Sequence, residues 1–144
     1  MSRYSAGMTA AGAGTTLRPI FGVLATAAAT PQLREIGLFN TTAVACTYQL
    51  VQLTGGTPGA TVTAFEHRQN GPPVVCLAKQ LWTADGGTIV PTGYRMVLGA
   101  AIGSAAILTF GGDGIACTPG ATIAFGLVPI GTGQICEVYF VWDE

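Results

Sequence analysis

A chain of 144 residues has the length of one ordinary domain, and 9% of its residues are charged, against about 25% in an average soluble domain. The net charge is −1, and six basic residues spread along the chain do not supply the patch that nucleic-acid binding needs. Hydrophobic residues make up 49% and mean hydropathy is +0.51, so part of the surface is expected to be hidden, in a membrane or against other protein.

The membrane alternative fails on helix chemistry. Met96–Gly112 is uncharged and contains Gly99-x-x-x-Gly103, a helix-pairing spacing, but it is rich in glycine. Ile115–Cys136 is broken by Pro119 and Pro129. Such segments make poor helices. Arg18 before Ile20–Ala29 has the outline of a signal-peptide core, yet Pro19 opens the run and it starts late. Without export, the widely spaced Cys46, Cys76, Cys117 and Cys136 read as free, buried thiols in a reducing cytoplasm.

Residues 1–33 are rich in Ala, Gly and Thr and carry charge only at Arg3 and Arg18. They read as an extended N-terminal arm, poor in core-forming groups, that orders on assembly. Pro19, Ile20, Phe21 and Leu24 are its expected anchors on a neighbouring chain. A helical turn or two is expected over Leu24–Thr30, stopped by Pro31.

From residue 34 the periodicity is that of strands. Arg34–Asn40 ends at Asn40-Thr41-Thr42. Val44–Thr54 sets Val44, Cys46, Tyr48 and Leu50 on one face, with Thr47, Gln49, Val51 and Leu53 on the other. A strand is expected over Ala60–His67, and a strand, with a short helix as the alternative, over Val74–Thr83. Loops fall at Gly55–Gly59, Gln69–Pro73 and Asp85–Gly87. Tyr94–Leu98, Ala106–Phe110, Ile115–Thr118 and Ala121–Val128 follow, with a turn at Pro119-Gly120. Gln134–Trp142 is apolar on both sides: Cys136, Val138, Phe140 and Trp142 on one, Ile135, Tyr139 and Val141 on the other. A strand with two apolar faces is covered twice, so Tyr139 and Val141 are expected interface residues. The whole predicts an all-β, jelly-roll-like β-sandwich of about eight strands over residues 34–144, preceded by the arm.

Residues able to carry chemistry are few. His67 stands alone between Glu66 and Arg68, at the polar end of a strand. Asp85 and Asp113 lie in glycine-rich turns. Glu137 calls for a structural partner, Arg34 or Arg95. No paired-ligand spacing suggests a metal, and no phosphate loop or nucleophile triad is present. No enzyme activity and no cofactor are therefore expected. Trp82, Tyr94 and Trp142 are the candidates for a sugar-binding platform, although aromatics in sandwiches are more often core.

Several stretches carry a family resemblance. They are Leu33–Thr42, Gly93-Tyr94-Arg95, Leu98-Gly99-Ala100-Ala101-Ile102-Gly103, Gly131-Thr132-Gly133-Gln134 and Val138–Glu144. Together they resemble small β-sandwich virion proteins of tailed bacteriophages, of the capsid decoration (cement) or minor structural type. The resemblance spans roughly residues 33–144. It implies a virion protein made in the host cytoplasm, forming a homotrimer on the shell and contacting the major capsid protein, with no nucleic-acid or membrane partner. A tail, baseplate or fibre component with a receptor- or glycan-binding role is the alternative.

Overall fold

Side chains that alternate between a buried and an exposed face need two sheets to enclose one core. The computed structural model describes all residues except Gln69, Pro119, Ala121 and Thr122, and among them forms eleven strands and no helix. The strands are β1 (Arg3–Ala10), β2 (Phe21–Leu24), β3 (Gln32–Asn40), β4 (Cys46–Thr54), β5 (Phe65–Glu66), β6 (Leu77–Gln80), β7 (Thr88–Leu98), β8 (Ala105–Thr109), β9 (Ile115–Ala116), β10 (Ile123–Ile130) and β11 (Cys136–Asp143). One antiparallel sheet runs β5-β1-β11-β3-β8, with β9 also on β3; the other runs β6-β2-β10-β4-β7. Sequence neighbours β1 and β2, β3 and β4, β7 and β8, and β10 and β11 each divide between the two sheets.

The main core lies between the sheets. Tyr4, Leu33, Ile36, Leu38, Val138, Phe140 and Trp142 face Phe21, Tyr48, Leu50, Phe125 and Leu127. Phe21 meets Phe140 edge-on with ring centres 5.2 Å apart. A second cluster, Val51, Leu53, Trp82, Ala124 and Val128, sits on the other side of β4 and β10. Pro19 covers it at Gly126, where a Cβ would lie 2.6 Å from the proline Cγ.

The expected arm is corrected. β1 pairs with β11 along its whole length, from Arg3 opposite Asp143 to Ala10 opposite Cys136. β2 pairs with β10 and β6. Pro19, Ile20 and Phe21 are buried within this chain, and Leu24 is half-buried. The stretch lacks bulk because its positions have little room: Ala6 and Ala10 point inward, and a Cβ on Gly7 would lie 2.9 Å from that of Tyr139. A single sandwich therefore runs from β1 to β11, not from residue 34.

Two smaller expectations also change. The chain after Leu24 bends at Ala27 and Ala28 without a helix. Thr26 Oγ1 accepts the Ala28 and Ala29 amides there, a local bond that competes with helix. Of Ala60–His67, only Phe65–Glu66 is strand. The expected positions Gln69, Pro119, Ala121 and Thr122 lie outside the described residues.

Candidate functional site: an uncharged loop end

Asn40 closes β3 and is 1% exposed. A buried amide needs every polar atom matched, and here two loops do it. Its Nδ2 donates to Val44 O (2.7 Å) and Gly99 O (3.0 Å). Its Oδ1 accepts from the Thr42 amide (3.0 Å) and hydroxyl (2.9 Å). Its backbone amide donates to Ser104 O, and its carbonyl accepts from Gly103 N at 2.7 Å. Gly103 holds φ +85°, which L side chains rarely adopt.

The third loop is tied in from below. Tyr48 Oη donates to Gln134 O (2.6 Å) and accepts from Gln134 N (2.9 Å). Burial pushes the Tyr48 phenol above its ordinary pKa, so it stays a donor. Thr41 Oγ1 donates to Ile135 O at 2.7 Å. The β3–β4, β7–β8 and β10–β11 connections are thereby locked into one surface. Gly12, from the β1–β2 connection, packs on Gln134 so closely that a Cβ would lie 2.5 Å from its carbonyl carbon.

The chemistry of this surface is set by what it exposes. Val44 (50%), Ile102 (75%) and Ile135 (47%) stand out from the three loops. Thr41–Ala45, Gly99–Ser104, Gly131–Ile135 and Ala11–Gly14 contain no charged residue. Apolar groups held on rigid, neutral loops suit a docking surface, because little ordering entropy remains to be lost on contact.

Charge gathers elsewhere. Asp143, 6% exposed, takes Arg3 Nε at 2.8 Å and Nη2 at 3.1 Å, and Arg34 Nε at 2.6 Å. Burial alone drives the Asp143 pKa up, but the two guanidinium groups outweigh it and hold it below the usual carboxylate value. Beside this triad, Met1, Ser2, Arg3, His67, Arg68 and Asp143 line an open cleft of about 400 Å³. His67 Nε2 lies 2.9 Å from Ser5 Oγ. Sequence distance hid this grouping, since strand pairing alone brings Arg3, Arg34 and Asp143 together.

The remaining expected site residues are placed as follows. Tyr139 and Val141 lie half-buried on the outer face of β11. Tyr139 is covered by its own chain: its ring lies over Gly37 and stacks on Phe39. Glu137 accepts from Thr9 Oγ1 (2.5 Å) rather than pairing with Arg34, which is committed to Asp143. Trp82 and Trp142 are 1% and 0% exposed, so with Tyr94 they form no sugar platform. The loop end was legible only as separate stretches between strands, Asn40-Thr41-Thr42, Gly99–Gly103 and Gly131–Gln134; their convergence was not.

No protein-family model matches the sequence, no curated protein matches it, and no solved structure matches the fold.

Proposed function

We propose that the protein is a non-catalytic virion structural protein of a tailed bacteriophage, which decorates and stabilises the capsid shell through contacts with itself and with the major capsid protein. The observation that carries this reading is the loop end braced by Asn40, neutral and apolar at Val44, Ile102 and Ile135. It replaces the arm as the attachment surface.

The strand order supports a jelly roll. Without the short β5, β6 and β9, the sheets read β1-β11-β3-β8 and β2-β10-β4-β7, the interleaving of two Greek keys that viral capsid domains share with lectins and cupins. This part is an analogy of fold. The resemblance of the β3, β7–β8 and β11 stretches to decoration proteins selects the viral member of that group and implies a homotrimer.

The test uses particles. Electron microscopy of virions carrying the labelled chain is expected to place it on the shell in many copies. Ile102→Asp and Val44→Asp are expected to fold normally by circular dichroism yet lose at least tenfold in occupancy. Label confined to the tail, or full occupancy by both variants, sinks the proposal.

A further inference from the structure

A sandwich has four sheet edges, and an unprotected edge is a template for another strand. Two of the four are guarded here, and a third in part. β5, two residues long, covers only Tyr4 and Ser5 of β1, beyond which Gly7 interrupts the edge. β6 is covered by its own chain: Gly59 N donates to Gln80 O, Gln80 N to Ala60 O and Val62 N to Ala78 O, with a bridge between Thr61 and Lys79. β7 carries Pro91, a charge at Arg95 and a bulge. Gln49 pairs with Arg95 and Val51 with Pro91, leaving Thr92, Gly93 (φ +87°) and Tyr94 opposite Leu50.

β8 has none of these devices. Ala105–Thr109 contains no proline, glycine or charge, and its register with β3 is unbroken from Ala105–Phe39 to Thr109–Glu35. Asn40 N donates to Ser104 O and Phe110 N to Arg34 O. The even-numbered residues therefore bond to β3, and Ala105, Ile107 and Thr109 turn their amides and carbonyls outward. The same three side chains lie exposed on the outer face of the sheet, Ile107 at 53%.

We infer that two copies of this chain join edge to edge through β8, antiparallel about a two-fold axis at Ile107, so that one sheet runs through both. The inference deepens the self-association in the proposed function and rests on that part of it. A two-fold contact sets the same surface against itself, and near the axis each group against its own copy, so an uncharged edge brings no like charges together there. Met96–Gly112 has no ionisable residue. Centred on Ile107, the pairing sets Ala105 opposite Thr109 and Ile107 opposite Ile107. It extends the outer row Tyr139, Gly37, Ile107 into the second copy.

Light scattering and hydrogen exchange on the full chain test it. The wild type is expected to form a dimer, or, where the trimer of the proposed function also forms, a hexamer of two trimers joined by three such pairs. Ile107→Lys, which sets like charges across the axis, is expected to weaken pairing at least tenfold. Phe65→Lys, at a still more open apolar site on the far edge, is expected to change nothing. Backbone exchange at Ala105, Ile107 and Thr109 should slow as protein concentration rises, a readout that needs no variant. A monomeric wild type, exchange there independent of concentration, or a trimer indifferent to Ile107→Lys each overturns the edge. The last leaves capsid decoration standing. Edge-paired dimers absent from shells keep the inference and sink the decoration reading.

Discussion

The ring of Tyr139 lies directly on Gly37: a Cβ built on that glycine would sit 2.0 Å from Tyr139 Cε1. The two residues face each other across β11 and β3, and the phenol donates to Glu35 Oε1 at 2.6 Å. Glycine leaves a gap in a sheet surface, and a neighbouring aromatic fills it. Tyr139 is thus partly covered from within its own chain.

Gly37→Ala is therefore expected to destabilise the fold by about 1–3 kcal/mol, the usual cost of overpacking. Tyr139→Ala should remove most of that penalty in the double variant, measured by urea unfolding. Additive losses would refute the contact. Burial, then Glu35, pushes the Tyr139 phenol up to about 12. Its folded pKa exceeds the unfolded value of about 10, so its contribution is complete below that pH and is lost as pH rises through about 12. Tyr139→Phe should flatten this alkaline loss.

Asn40→Ala strips the donors from Val44 O and Gly99 O and the acceptor from Thr42. Val44 and Gly99 are exposed and Gly99 O keeps the Ser104 hydroxyl at 2.9 Å, so the cost is that of lost hydrogen bonds, about 0.5–1.5 kcal/mol each. A loss of at least that size is expected in thermal unfolding, together with faster hydrogen exchange in Thr41–Ala45 and Gly99–Ser104. A stability loss without faster loop exchange would argue against Asn40 as the brace.

Asp143 makes the stability of the fold depend on acid pH. Its pKa is depressed by Arg3 and Arg34 against the opposing effect of burial. The unfolded chain thus binds the proton first, and stability present above about pH 4 falls as pH drops through the folded pKa. Asp143→Asn should be less stable than the wild type at pH 7 and lose less between pH 4 and pH 2. Parallel pH profiles for the two proteins would contradict this.

All four cysteines are free and buried. Burial raises each thiol, Cys117 and Cys136 to about 11, which leaves about one in a thousand of those two as thiolate at pH 8. Folded protein should resist a thiol reagent at that pH, and all four should react once denaturant is added. Fast labelling of any one in the native state would contradict its burial.

The sequence by itself determined the class of fold and much of the strand pattern. Alternation is a local property, so β3, β4, β10 and β11 were legible within a few residues, as was the double apolarity of β11. Free thiols followed from spacing. Scarce charge also raised the expectation of an association surface, with no indication of its place.

Tertiary structure alone decided which stretches complete one another. Ala- and Gly-rich β1 looked too poor for a core because the need for small residues there arises from β11 and Tyr139, more than a hundred residues away in sequence. Asn40, Gly99 and Gln134 became one surface, and Arg3, Arg34 and Asp143 one cluster, only when the sheets set their register. A strand announces its own period, but its partners and its free edge belong to the assembled sheet, where contacts between distant residues decide.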